Sequence, residues 1–392
     1  MLTKAQEDLF TFTEEDMAAA AARYATPCFV YSLDLARSRW RMLRQALPGR
    51  VRLAYAVKSN PGAPLLETFA AEGAWFDCAS AGEISAVLAA GGTGSGMVVA
   101  GPAKTHRDLQ AALYAGARVQ VDGIEDVERL QELHTGEAPL RVSVRVHPAS
   151  GVSESASIIG GAGPSAFGVD EEDLGAFLAA ARHHDRVAVT GLQVFSASNE
   201  LDPGRLLANH RTALRIGQAM HEEHGIELEL VDVGGGLGIR YAASEPSLDI
   251  WALGAGMGRL LEEHPWFTGE LLLEPGRWLS GPCGVYLTRV VRVKQSRGVR
   301  FAMLEGGINH LLRPLLTGQS FPVTAPGRSG ELTAYTLAGP LCTSLDRLGT
   351  GELPVDLQGG DVVAFGQTGA YASTQAMSHF LSHPEPAQHW LC

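Results

Sequence analysis

The sequence predicts an α/β fold: a (β/α)8 TIM barrel with a second, all-β domain formed by the C-terminal part plus the N-terminal segment. Between residues 51 and 277, short β-branched or apolar runs alternate with longer Ala/Leu-rich amphipathic segments, the pattern of parallel strands joined by crossover helices. The runs number about eight, the count of a closed barrel. After residue 277 the texture changes to Val/Thr/Tyr/Arg strands and turn clusters with little helical periodicity. An open doubly wound sheet is the alternative.

The candidate barrel strands are 51–57, 75–79, 97–100, 118–121, 140–146, 188–195, 227–233 and 271–274. Between them the 3.6-residue pattern predicts helices over 64–72, 81–90, 105–114, 124–133, 171–182, 203–224 and 250–263, several opening on a Pro, Ser, Thr or Asp start signal. Strands at 285–293 and 300–303 open the β domain, and a short strand at 29–32 is expected to join it. At 392 residues the chain exceeds the size at which one core stops growing. We therefore divide it into an N-terminal segment 1–34, a barrel 35–277 and a C-terminal β domain 278–392. The uncharged run 84–103 is long enough to raise a membrane span, but its five glycines read as helix end, loop and strand. Residues 149–168, rich in Gly, Ser and Ala, are too long for an ordinary connection and are expected to form an active-site lid.

Composition excludes several classes of function. A formal charge of -12 argues against a nucleic-acid binder and gives no attraction to anionic membranes. Cys28, Cys78, Cys283, Cys342 and Cys392 are odd in number and form no Cys-x-x-Cys pair, so neither a disulfide framework nor a metal site is expected. A reducing cytoplasm fits best, and residues 1–17 carry no basic, then apolar, export signal.

The polar clusters lie at or just beyond the C-terminal ends of the predicted strands, the barrel face on which catalytic groups collect. They are Lys58-Ser59-Asn60, Asp77-Cys78-Ala79-Ser80, Arg145-x-His147, Ser196-Ala197-Ser198-Asn199, Gly234-Gly235-Gly236 and Glu274-Pro275-Gly276-Arg277. A lysine desolvated at the end of an apolar strand is placed to act as an amine nucleophile on a carbonyl cofactor, although a strand-capping cation would occupy the same position. The triple glycine lets backbone amides surround an anion, and Arg277 can add a bidentate contact to it; a flexible turn and a surface ion pair are the plain alternatives. Amine, cradle and arginine on one rim suggest pyridoxal 5'-phosphate. A carboxylate at Glu274 beside the pyridine nitrogen would make the ring the strong electron sink that decarboxylation needs.

The chain resembles the fold-type III pyridoxal-phosphate enzymes, and within them the ornithine and diaminopimelate decarboxylases. The matching pieces run in the family's order over nearly the whole chain: Ala54-Tyr55-Ala56-Val57-Lys58-Ser59-Asn60, Phe76-Asp77-Cys78-Ala79-Ser80-x-Gly82-Glu83, Asp232-Val233-Gly234-Gly235-Gly236, Glu274-Pro275-Gly276-Arg277, Gly339-Pro340-x-Cys342-x-x-x-Asp346 and Gly369-Ala370-Tyr371. The resemblance implies that Lys58 holds the cofactor aldehyde and Glu274 faces the ring nitrogen. It implies further that Gly234, Gly235, Gly236, Arg277, Ser198 and Tyr371 hold the phosphate, with Asp77, Glu83 and Arg145 supporting the lysine and the cofactor. Cys342 and Asp346 match a loop lent across a homodimer with shared active sites, in which the cysteine returns a proton after decarboxylation.

Three departures bear on the substrate. Phe195 takes the place of the family's ring-stacking histidine, and Ser165-Ala166-Phe167-Gly168 lacks the family's lid lysine. Thr343 stands where an acidic residue meets the distal amine of a diamino acid, so a free diamine would lack its partner. The runs 339–343 and 380–387 look instead like a biosynthetic subgroup acting on acidic aminoacyl groups tethered to acyl carrier proteins. Arg313 matches a position that binds a substrate carboxylate, and Arg37, Arg39, Arg41 and Arg44 offer a docking patch for an acidic carrier unless they are a solvated helix face. The expected activity is decarboxylation of a carrier-bound glutamyl, aspartyl or methylated aspartyl group in secondary-metabolite biosynthesis. The alternatives are decarboxylation of a free amino acid such as diaminopimelate, racemisation, or a catalytically silent regulator.

Overall fold

A computed structural model describes residues 9–149, 163–195 and 197–392, so most of the predicted lid, 150–162, lies outside the described residues. The chain divides into two compact units, one of 37–238 plus 248–276 and one of the remainder.

After β1 (Cys28–Ser32), which belongs to the second unit, the chain builds the barrel. Its strands are β2 (Val51–Ala56), β3 (Trp75–Cys78), β4 (Met97–Val99), β5 (Arg118–Val121), β6 (Leu140–His147), β8 (Val187–Gln193), β9 (Leu230–Asp232) and β10 (Glu270–Leu273), with a two-residue β7 (Val169–Asp170) beside β6. All pair in parallel, and the sheet closes on itself through Leu271 opposite Val51. The doubly wound alternative is thereby ruled out. Parallel strands covered on both faces must be apolar throughout, and Leu53, Ala54, Tyr55, Phe76, Val98, Val119, Val144, Leu192, Val231 and Leu272 are accordingly buried. Each fully buried large apolar side chain contributes about 1.5–3 kcal/mol.

The crossover helices begin where the sequence supplies caps. Ser80 accepts the amide of Glu83, Thr105 and Asp108 form a reciprocal capping box, and Asp249 accepts the amides of Trp251 and Ala252. Helices Ile124–Leu133, Pro203–His224 and Ile250–Glu263 coincide with the predicted spans. Several strands end one or two residues earlier than expected, because the polar clusters leave the ladder. Val57, predicted as strand, instead opens a single 3-10 turn, Val57–Ser59, that carries Lys58 at the rim.

The second unit is a mixed sheet. β11 (Gly284–Ser296) pairs antiparallel with β12 (Val299–Leu304) and with β16 (Val362–Phe365); β16 also holds β13 (Val323–Thr324). From β12 the sheet continues through β14 (Leu332–Ala338) to β15 (Arg347–Pro354). β1 lies antiparallel on β11 and parallel to β17 (Ala387–Leu391), so the N-terminal strand does enter this sheet. Its core includes Met17, Cys28, Val30, Val285, Leu287 and Ala364. Helix Glu14–Arg23, opened by a Thr13–Asp16 capping box, adds Met17, Ala20 and Ala21 to that core. Among the described residues no helix is long and apolar enough to cross a membrane.

Candidate active site

The barrel rim brings together side chains far apart in sequence. Lys58 Nζ lies 2.7 Å from Asp77 Oδ2, an ion pair in which the carboxylate is fully buried and the lysine side chain is 36% exposed. The amine is thus held by a buried acid while it remains reachable. It also sits 6.0 Å from the centroid of the Phe195 ring. Behind Asp77, Glu83 accepts the Ala79 amide at 2.6 Å, and burial pushes its carboxyl pKa up.

Gly234, Gly235 and Gly236 pack against these groups so closely that no side chain fits. A Cβ on Gly234 would stand 2.8 Å from Phe195 Cδ2, one on Gly235 2.5 Å from the Glu274 carbonyl oxygen, and one on Gly236 2.9 Å from the Ala197 carbonyl oxygen. Gly234 and Gly236 also have φ of 70° and 92°, open to glycine at little cost. Ser198 lies half-buried on the neighbouring loop.

Glu274, just past β10, is paired with a residue that sequence reasoning left in a supporting motif. Asp232 lies beside Glu274, accepts the Gly234 amide at 2.9 Å, and accepts from Gln120 Nε2. Two buried carboxylates side by side cannot both ionise readily. Desolvation raises the pKa of Asp232 well above the usual range, with the Glu274 charge adding to it. Glu274 is raised as well, first by desolvation and then by Asp77, while Lys58 and Arg145 pull it down. Arg145 is buried and lies 4.3 Å from the Phe167 ring centroid.

The second unit gathers its own cluster. Arg277 donates to the Tyr241 hydroxyl at 2.8 Å and lies 4.6 Å from the Tyr371 ring centroid. Arg313 stacks on the other aromatic surface, 4.7 Å from the Tyr241 centroid, and donates to Gln319 Oε1 at 2.6 Å. Gln319 in turn reaches Glu245 at 3.3 Å. Tyr371 has φ of 53°, a conformation that costs a non-glycine residue energy and marks a constrained site. Both oxygens of Asp346 accept backbone amides, from Ile308 at 2.8 Å and Leu341 at 2.7 Å, so this carboxylate organises the loop carrying exposed Cys342 and half-buried Thr343.

Sequence reasoning passed over Asp232, Gln120, Tyr241 and Gln319 as site residues, because only the closed barrel or the folded β unit creates their contacts. A signal for Asp232 was available: an acid in the middle of an apolar parallel strand needs a buried partner. Three of the four arginines of the candidate docking patch have partners in the barrel unit. Arg41 makes two hydrogen bonds to Glu72, Arg37 approaches the same carboxylate at 3.8 Å, and Arg44 donates to the carbonyls of Pro48 and Val51.

The residues present suit pyridoxal phosphate. Buried Glu274 Oε1 and Asp77 Oδ1 have no hydrogen-bond partner among the described residues, a costly arrangement unless a bound group answers them. In the adjoining glycine cradle a Cβ at any of the three positions would collide with the protein's own atoms, so only glycine lets the chain run this close to Phe195 and Glu274. A parallel barrel with a reachable amine, buried acids and a glycine cradle on its rim, accompanied by a β unit, defines a cofactor-dependent barrel enzyme. Residues 33–281 match the family described as "Pyridoxal-dependent decarboxylase, pyridoxal binding domain", and the chain belongs to that family.

Two curated relatives illustrate its reach. The L-glutamyl-[BtrI acyl-carrier protein] decarboxylase of Niallia circulans is 28% identical, covering 96% of this chain and 91% of that one. The diaminopimelate decarboxylase of Deinococcus radiodurans is 33% identical, covering 94% and 91%. The structure of diaminopimelate decarboxylase from Helicobacter pylori complexed with L-lysine superposes with a TM-score of 0.87 at 24% identity, covering 96% of this chain and 94% of that one, which establishes the shared fold. The protein is a pyridoxal-phosphate-dependent decarboxylase.

Proposed function

We propose that this decarboxylase acts on an L-aminoacyl group whose far end is neutral: a glutamyl, aspartyl or methylated aspartyl unit tethered to an acyl carrier protein. The observation that carries the reading is the 339–346 loop. Thr343 stands where a diamine would need a carboxylate, and the loop's one acid, Asp346, already accepts two backbone amides. A distal ammonium desolvated there without a partner would cost several kcal/mol, enough to shift specificity by orders of magnitude. Similarity to the carrier-protein glutamyl decarboxylase over 96% of the chain supports the same assignment.

In this reading Lys58 binds the cofactor aldehyde, Asp77 holds the lysine in place, Glu274 meets the ring nitrogen, and Phe195 packs on the ring. Gly234 to Gly236, Ser198, Arg277 and Tyr371 embrace the phosphate, and Arg145 balances the buried acids. The bound cofactor supplies an electron sink for the pair left on Cα when carbon dioxide departs. Cys342 delivers the proton to that carbon, on a loop shaped by Asp346, and Arg313 orients the substrate through a carboxylate or carbonyl oxygen. The enzyme works as a homodimer with shared active sites. Exposed Leu345, Leu315, Leu316, Met377, Phe380 and Leu381, all in the β unit, support an interface there. Five free cysteines support a reducing, cytoplasmic setting.

The 33% identity to a diaminopimelate decarboxylase favours a second reading, decarboxylation of that free amino acid. Carbon dioxide release from carrier-bound glutamate and aspartate, measured beside free diaminopimelate, lysine, ornithine, glutamate and aspartate, separates the two. Turnover confined to carrier-bound groups is expected, and efficient turnover of a free diamino acid overturns the proposal. Thr343→Asp is expected to raise the relative rate on free diamines.

A further inference from the structure

Beyond the rim, the ends of β4 and β5 carry a buried ionic network that the reaction does not itself require. The Lys104 side chain is 1% exposed, and its Nζ meets Asp122 Oδ2 at 2.6 Å, Asp126 Oδ2 at 2.8 Å and the Gly101 carbonyl at 2.6 Å. Arg129 closes the far side, donating to Asp126 Oδ1 at 2.6 Å and to the Lys104 carbonyl at 2.6 Å. Asp122 has one oxygen left, Oδ1, and it accepts the Gly168 amide at 2.8 Å.

Gly168 is fitted to that bond. Its φ is 74°, and a Cβ there would stand 2.9 Å from the Arg145 carbonyl oxygen. The preceding residue, half-buried Phe167, is thereby laid against the Arg145 guanidinium, 4.3 Å from ring centroid to Cζ. A cation over a ring face at this distance is attracted by the ring's quadrupole, the more so as the site loses water. Burying a lysine and two aspartates merely to close a surface turn would be poor economy of charge, since buried ion pairs seldom stabilise a fold on balance.

The geometry points to Phe167 as a positioning residue: seated by the Lys104–Asp122–Gly168 chain, it holds the Arg145 guanidinium in its working orientation beside the buried acids of the rim. This rests on the assignment of Arg145 to the active site. Phe167 itself touches no reacting atom in the assignment above. Its effect on turnover must therefore pass entirely through Arg145, and that is a coupling a double-mutant cycle measures.

The experiment uses the holoenzyme and four variants: Phe167→Leu, Phe167→Tyr, Arg145→Met and the Phe167→Leu/Arg145→Met pair. Phe167→Leu is expected to lower kcat about tenfold, with KM changed less than about twofold and thermal unfolding lowered by only a few degrees, so that the enzyme stays folded at the assay temperature. Phe167→Tyr keeps the ring and restores kcat. In the Arg145→Met background, Phe167→Leu has no further effect. If Arg145→Met lowers kcat while Phe167→Leu does not, or if the two losses simply multiply, the positioning role is overturned and the assignment of Arg145 survives. If Arg145→Met leaves kcat unchanged, the assignment fails and the inference with it.

Discussion

Replacing Gly235 by alanine tests how tightly the glycine cradle and Glu274 are coupled. The new Cβ would lie 2.5 Å from the Glu274 carbonyl oxygen, and relief to an ordinary contact of 3.4 Å needs the two segments to separate by about 0.9 Å. They are joined there by the Glu274 amide donating to the Gly234 carbonyl at 2.8 Å, so the separation stretches that bond past its useful range of about 3.2 Å. Backbone yields on one side or the other, and either the acid or the cradle moves by most of an ångström. Misplacement of about 1 Å costs on the order of 100-fold in rate, about 2.7 kcal/mol of transition-state stabilisation. The assay is kcat/KM for decarboxylation together with the cofactor absorbance band, a direct readout of occupancy. Gly225→Ala is the control: φ there is 62° and nothing lies within 4 Å, so it carries a backbone cost of about 1–2 kcal/mol in stability with turnover intact. A Gly235→Ala enzyme with full cofactor occupancy and kcat/KM within twofold of the parent would refute the reasoning.

Three further outcomes follow from buried charge. Asp232 has a folded pKa above its unfolded value of about 3.9, so its contribution to stability is present below that pH and is lost as pH rises through the folded pKa. Asp232→Asn keeps an acceptor for the Gly234 amide and removes the titration, and denaturant midpoints between pH 4 and pH 8 should fall less steeply for the variant. Lys58→Ala strands the buried Asp77 carboxylate, with an expected cost of about 1–3 kcal/mol in denaturant unfolding, and borohydride treatment followed by mass spectrometry should find no cofactor on the chain. Lys104→Met leaves Asp122 and half of the Asp126 charge unanswered in a buried site, and chemical denaturation should show a loss of about 3–5 kcal/mol. A loss below about 1 kcal/mol would mean that the network is wetter than its burial indicates.

The linear order of residues was enough for the alternation of strands and helices and for the polar clusters at strand ends, whereas the choice of a closed barrel over an open sheet waited for the pairing of the first and last barrel strands. Strand and helix periods, with caps such as Asp249 and Ser80, are local and survive in any context, which is why helices 124–133, 203–224 and 250–263 were legible to the residue. Lys58, Glu274 and the triple glycine were legible as candidates, since their residue types and their place at strand ends mark them out, and the structure puts them on the barrel rim. The pairings were not. Asp232 with Gln120, Arg277 with Tyr241, Phe167 with Arg145, and Asp122 with Gly168 join residues 22 to 112 positions apart. Each is a product of barrel closure, sheet register or loop path, which bring together groups whose separation along the chain carries no trace of the meeting. The raised pKa values of the two buried acids and the orientation of the arginines are consequences of that assembly, because desolvation and hydrogen-bond geometry come into being only when the strands close.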